Sequence, residues 1–274
     1  MNPNPASSFL QAVVFDWAGT VIDFGSQAPM GAFVELFRRH GVEIGIDEAR
    51  VPMGLPKWHH IQALGRMPRI AQAWLDVHGR PFGNADTDAL YAEFTPMNAA
   101  SVRQHADLIP GTVETLDWLR KRGLRIASTT GYNRDIMEVL IPLAARQGFD
   151  PEAVVCAGDL PESRPSPMGM RHLFERLGIH DPQRVVKVDD TVPGLLEGRH
   201  AGCWTVAVLA SGNALGLTEA QWQGLDASRR TVLRNQARET LAEGDANFFI
   251  DTVADLPAVI ETIEQRMAAA VRRD

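Results

Sequence analysis

Four short polar clusters, each closing an apolar run or lying in the loop after one, could do chemistry together. They are Asp16-Trp17-Ala18-Gly19-Thr20, Ser128-Thr129-Thr130-Gly131, Arg164-Pro165 and Asp189-Asp190-Thr191. Between them they supply a nucleophilic carboxylate, a hydroxyl with backbone amides, a fixed cation and further carboxylates. The carboxylate of Asp16 can attack phosphorus to give an aspartyl phosphate, a form of covalent catalysis. Carboxylates combined with an anionic ligand offer the hard oxygens that Mg²⁺ takes in an octahedron. Mg²⁺, Arg164 and Thr130 would offset charge on the transferring group. Singly, each cluster reads as a turn, a cap or a solvated surface charge. The ordered set of four is harder to explain that way.

The elements that must position these residues follow from the apolar pattern. Residues 11–15 form a buried strand whose carboxyl end delivers Asp16. Helical periodicity follows over 29–40, 68–78 and 88–103, with Asp86 as a candidate N-cap for the last. After Pro110-Gly111 helices and strands alternate. Helices are expected over 112–122, 133–146, 167–177, 193–200 and 256–267, and strands over 124–128, 153–156, 184–188, 203–209 and 247–250. Such alternation predicts an α/β fold with a doubly wound parallel sheet, whose ligands sit beyond the carboxyl ends of the strands. The helical block that interrupts the rhythm reads as an inserted all-helical cap over 24–104, leaving 1–23 and 105–274 as the core. A cap can close over a site and exclude water.

The bulk properties narrow the partners. A net charge of −7 over 274 residues argues against nucleic acid and anionic membrane surfaces. Residues 1–8 are polar, without the character of a signal peptide, and no apolar run reaches transmembrane length, so a cytoplasmic location is expected. Cys156 and Cys203 lie in apolar runs and read as buried thiols. Trp58, Trp74 and Trp118 read as core residues.

The four motifs resemble those of the haloacid dehalogenase superfamily of aspartate-nucleophile hydrolases. Asp16 stands where that superfamily has its nucleophile, Thr130 in its second motif, Arg164 at the basic third and Asp190 at the acidic fourth. Two departures stand out. Phosphatases of the superfamily carry a second aspartate two residues after the nucleophile, where this chain has Ala18, and a methyl group cannot protonate a leaving oxygen. The superfamily often has a further Asp four residues after the fourth-motif Asp, where this chain has Gly194, with Asp189 as a possible substitute.

The expected cap supplies a compensation for Ala18. In Pro52-Met53-Gly54-Leu55-Pro56-Lys57-Trp58-His59-His60, Pro56 suits the first position of a helix and puts Lys57 in its first turn. The helix dipole and burial under a cap both favour the free amine there. A free amine condenses with a carbonyl to a Schiff base, which once protonated accepts the electrons of a bond broken at the adjacent carbon. The leaving group then needs no acid at position 18. The substrate this demands is a phosphonate with an aldehyde one carbon away. The stretches FDWAGTVIDFG, PMGLPKWHH, STTGY, SRPSP and DDT are similar to the phosphonoacetaldehyde hydrolase family.

That resemblance implies acetaldehyde and phosphate as products, Mg²⁺ as cofactor, and a homodimer. It also implies metal ligation by Asp16, the carbonyl of Ala18, and Asp190. His60, three residues beyond Lys57, reads equally as a proton shuttle for imine formation or as a packing histidine. Met53, Tyr132 and Gly131 are candidate substrate contacts. Residues alone separate neither Asp189 from Asp190 as metal ligand nor Thr129 from Thr130 as phosphoryl contact. In a strand, the two threonines point to opposite faces. A dehalogenase attacking carbon, a phosphatase of another small substrate, and a non-catalytic binding protein of the same fold are the competing readings.

Overall fold

A computed structural model describes residues 9–271. The expectation for residues 1–8 lies outside the described residues. A single six-stranded sheet is built from β1 (Ala12–Phe15), β2 (Arg125–Asn133), β3 (Ala153–Ala157), β4 (Val185–Asp189), β5 (Trp204–Val208) and β6 (Phe248–Ile250), in the order β3-β2-β1-β4-β5-β6. All neighbours are parallel. Runs such as Ala12–Phe15, buried along their whole length, suit strands covered on both faces.

The strand order turns back between β1 and β4, which opens a crevice beyond their carboxyl ends. Phe15 is level with Ser128 on one side and Val188 on the other. That register sets Asp16 beside Thr129 and Asp189, and the amide of Asp16 donates to the Val188 carbonyl at 3.0 Å.

Between β1 and β2 lie α1 (Ala28–Arg39), α2 (Ile46–Arg50), α3 (Lys57–Arg66), α4 (Pro68–His78) and α5 (Asn84–Val102). They bury an apolar cluster separate from that around the sheet, with Phe33, Phe37, Ile61, Leu64, Trp74 and Phe94 inside it. Each such fully buried side chain contributes about 1.5–3 kcal/mol. The remaining helices are α6 (Thr112–Lys121), α7 (Arg134–Gln147), α8 (Met168–Leu177), α9 (Val192–Ala201), α10 (Glu219–Gln223), α11 (Ala227–Thr240) and α12 (Leu256–Val271).

Several details differ from the expectations. β2 continues past Ser128 to Asn133, because Ser128, Thr129 and Thr130 are buried although polar. Gly83, not Asp86, is the N-cap of α5; Asp86 sits three residues in and accepts from the Gly83 amide at 2.9 Å. Pro56 is the N-cap of α3, not its first residue, and Lys57 takes that first position. Helices α10 and α11 carry little apolar signal, since α11 buries only Ala237. Trp74 is core, whereas Trp58 is half-buried with its indole on Asp88, and Trp118 is half-buried beneath the Arg122 guanidinium. Both cysteines are free and buried, with burial pushing each thiol up to about 12.

Candidate active site

The end of β1 turns sharply at Gly19, whose φ of +84° lies in the left-handed region. A Cβ there would sit 2.3 Å from Asp190 Oδ2, so glycine also admits that carboxylate. Asp16, Asp189 and Asp190 each offer an oxygen within 4.8 Å of the others. Asp190 accepts from Thr20 Oγ1 at 3.2 Å and from the Asn213 amide at 2.7 Å. Asp189 Oδ1 accepts from the amide and hydroxyl of Thr191, while its Oδ2 lies 3.0 Å from Lys187 Nζ and 3.3 Å from Arg164 Nη2. A Cβ at Gly194 would lie 2.0 Å from Asp189 Oδ2, so the Asp189 carboxylate fills the room a side chain there would need.

Electrostatics distinguish the three. Burial, then the charge of Asp189, raises the Asp16 carboxyl to about 6, against the pull of Arg164 and Lys187. Burial, Asp16 and Asp189 push Asp190 well above the carboxylate range. Burial opposes ionisation of Asp189 too, but Arg164 and Lys187 outweigh it and hold that carboxyl low. Three carboxyls this close resist ionising together without a cation among them. At these strand ends the buried carboxylates Asp16, Asp189, Asp190 and Glu197 face the buried cations Arg164 and Lys187. Carboxylates remain in excess even when the Lys57 ammonium of the adjoining cavity is counted, and the donors are hard oxygens. Both suit one divalent ion such as Mg²⁺.

The cavity beside this cluster is lined by Asp16, Ala18, Thr130, Gly131, Tyr132 and Arg164 from the strand ends and by Met53, Gly54 and Lys57 from the segment leading into α3. Its volume of about 20 Å³ admits little more than a water. Gly54 makes this close approach possible: its φ is +91°, and a Cβ would come within 2.4 Å of Thr191 Oγ1. Gly131 does the same opposite, where a Cβ would meet the Gly54 and Leu55 carbonyls at 3.3 and 3.2 Å.

Lys57 reaches into the cavity from the first turn of α3 and is only 5% exposed. Its Nζ lies 3.6 Å from Met53 Sδ and 5.0 Å from the centre of the Tyr132 ring. Burial lowers its pKa to about 8, although Asp16 pulls the other way. Thr130 faces the cavity, whereas the Thr129 hydroxyl turns into a network with Arg164, Lys187 and Glu197. Tyr132 lines the cavity with its buried hydroxyl unpartnered. His60 is completely buried and does not line the cavity. Its ring stacks on Phe33 at 4.0 Å, and Nε2 lies 2.8 Å from the Ala49 carbonyl. Burial and the charge of Lys57 drive its pKa well below the usual value, which keeps it neutral.

The structure thus brings Asp16, Ala18, Met53, Lys57, Thr130, Gly131, Tyr132 and Arg164 to one cavity, with Asp190 against Asp16. Thr191 of the fourth cluster also lines it; sequence reasoning missed Ser26, another lining residue, and the buried Lys187 and Glu197. A lysine inside the apolar run of β4 was the available signal for Lys187.

The haloacid dehalogenase-like hydrolase family matches this chain over residues 10–202. A phosphonoacetaldehyde hydrolase of Vibrio vulnificus is 46% identical over 99% of this chain and 100% of its own length. One of Hahella chejuensis is 46% identical over 94% of this chain and 88% of its own. The crystal structure of a phosphonoacetaldehyde hydrolase-like protein from Oleispira antarctica superposes with a TM-score of 0.93 at 39% identity, covering 96% of this chain and 95% of that one.

Proposed function

Because the chain belongs to the haloacid dehalogenase-like hydrolases, and within them to the phosphonoacetaldehyde hydrolase family, we propose that it cleaves the carbon–phosphorus bond of phosphonoacetaldehyde to acetaldehyde and phosphate. The observation that carries the mechanism is the pairing of a buried amine and a buried carboxylate, Lys57 and Asp16, in one narrow cavity, with Ala18 two residues beyond Asp16 on the same wall.

The Lys57 amine adds to the aldehyde carbon, and loss of water leaves an imine that takes up a proton. Asp16 then attacks phosphorus. The electrons of the carbon–phosphorus bond move to the iminium nitrogen, giving an enamine on Lys57 and an acyl phosphate on Asp16. The enamine is protonated on carbon and hydrolysed to acetaldehyde, which restores the amine. Water cleaves the acyl phosphate to phosphate and the free Asp16 carboxylate. The enamine leaves without a proton donor, which is why Ala18 suffices where phosphatases carry an acid. Arg164 and Thr130 face the transferring group. Asp16, Asp190 and the Ala18 carbonyl would hold Mg²⁺, with Asp189 behind them; when bound, the ion offsets phosphoryl charge. His60 stays neutral and can relay a proton only through a change in its present packing. Residues 24–104 act as a lid over a core of 1–23 and 105–274, in a homodimer.

Borohydride trapping tests this reading. The protein is incubated with phosphonoacetaldehyde and Mg²⁺, reduced, and mapped by peptide mass. An adduct on Lys57 is expected. Turnover that survives Lys57→Ala nearly intact would reject the Schiff-base step.

A further inference from the structure

The buried network behind Arg164 has no part in the chemistry above, yet it consumes most of that residue's donors. A guanidinium carries five N–H groups. Nε donates to Glu197 Oε2 at 3.1 Å, and Nη2 donates to the Thr129 carbonyl at 2.6 Å and to Thr129 Oγ1 at 2.8 Å. Nη1 pairs with Asp16 Oδ1 at 2.8 Å. A single N–H is left over, on the nitrogen that also grips the nucleophile.

Thr129 Oγ1 is equally committed. It accepts from Arg164 and from Lys187 Nζ at 2.7 Å, and donates to Glu197 Oε2 at 2.7 Å. Two cations therefore converge on one neutral oxygen. Two carboxylates bridge these cations: Asp189 Oδ2, 3.3 Å from Arg164 Nη2 and 3.0 Å from Lys187 Nζ, and Glu197 Oε2, 3.1 Å from Arg164 Nε and 3.5 Å from Lys187 Nζ; only Glu197 holds Nε. Glu197 projects from α9 and is 2% exposed, and glycine on the facing helix α8 makes room for it: a Cβ at Gly169 would come within 2.7 Å of Glu197 Oε1. Without the Glu197 carboxylate, Asp189 alone would bridge the two desolvated cations, and Nε of Arg164 would lose its acceptor.

We propose that Glu197 is a positioning residue for phosphoryl transfer: by fixing Nε it sets the rotation of Arg164, so that the last N–H faces the reacting group beside Asp16. This rests on the reading of Asp16 as nucleophile. Glu197 touches neither substrate nor nucleophile and acts only through Arg164.

The test uses the full chain with Mg²⁺, comparing Glu197→Gln, Arg164→Lys and the double variant. Phosphate release and borohydride trapping on Lys57 are both followed at saturating phosphonoacetaldehyde. Glu197→Gln should lower kcat by about 10- to 100-fold, the cost of misplacing a reacting group by a fraction of an ångström, while trapping proceeds at the wild-type rate. In the Arg164→Lys background, which has no Nε to hold, the same change should cost less than about threefold. Equal losses in both backgrounds, a parallel loss of trapping, or an unchanged kcat would each overturn the proposal. If Glu197→Gln does not fold, Glu197→Asp keeps the charge with a shorter reach and should show a smaller loss with the same dependence on Arg164. A wild-type protein that neither releases phosphate nor traps on Lys57 would instead fault the proposed function.

Discussion

Replacing Lys57 by methionine should stabilise the protein while abolishing its activity. The side chain is 5% exposed, against Met53 and the rings of Phe33 and Tyr132. Burial displaces its pKa from 10.5 to about 8. At about 1.4 kcal/mol per tenfold change in proton affinity, the folded protein bears a cost of about 3 kcal/mol for holding the ammonium. The sign follows from proton counts. Between pH 8 and 10.5 the unfolded chain keeps a proton on Lys57 that the folded chain has released, so stability rises with pH in that window. Below pH 8 the cost is complete, and above 10.5 it vanishes. Methionine preserves volume and removes the charge, at a packing cost under about 1.5 kcal/mol. Lys57→Met should therefore be about 2 kcal/mol more stable at pH 7, and that advantage should shrink from pH 8 upwards. Urea unfolding of both proteins at fixed protein and Mg²⁺ concentration, at pH 7, 8, 9 and 10, measures the difference. A variant less stable than wild type at pH 7, or an advantage independent of pH, would refute the account of Lys57 as a strained buried amine.

Other outcomes follow from the same geometry. The rate of borohydride trapping on Lys57 should climb with pH in a rise centred near 8, since the free amine is the reactant; a rise centred above pH 10 would mean an unperturbed lysine. Asp16→Asn should lower phosphate release by at least about 10³-fold while the Lys57 adduct still forms, the two steps using different residues; mass mapping of the reduced protein reads both. Gly194→Ala should cost at least about tenfold in kcat and weaken Mg²⁺ binding, because its Cβ would lie 2.0 Å from Asp189 Oδ2 and displace that carboxylate; a Mg²⁺ titration of activity reads it. Ala18→Asp should leave hydrolysis of simple phosphate esters below about 1% of the phosphonoacetaldehyde rate, because the cavity still presents an amine that only a carbonyl substrate can use.

Much of the site could be seen in the chain. The apolar run of β1 stops at Asp16, those that begin β2 and β4 lead into polar clusters, and the alternation with helices predicted a parallel sheet whose strand ends gather on one edge. That was enough to gather Asp16, the Thr129-Thr130 pair, Arg164 and the Asp189-Asp190 pair at one site, while the choice of Thr130 and Asp190 within the pairs came from the family resemblance, and Ala18 pointed to a distant lysine. Prediction failed where polarity masked burial. Thr129 and Thr130 ended the expected strand because hydroxyls in a core become acceptable only once partners such as Glu197 and Lys187 are in place. For the same reason α11 went unseen: it covers its side of the protein with arginines, and Arg230 and Arg234 lie over Trp222.

Local pattern was sufficient for the alternation of strands and helices and for the polar clusters that follow the apolar runs, because backbone preference and side-chain period act over a few residues. What those residues do to one another was set by the folded arrangement. The turn back of the sheet between β1 and β4 set Asp16 beside Asp189, two residues 173 positions apart. The packing of α8 on α9 placed Glu197 beside two cations, and the close approach of Gly54 to Thr191 brings the segment before Lys57 against the sheet's strand ends. Proton affinities and donor directions depend on neighbours within a few ångströms, and those neighbours come from distant parts of the chain.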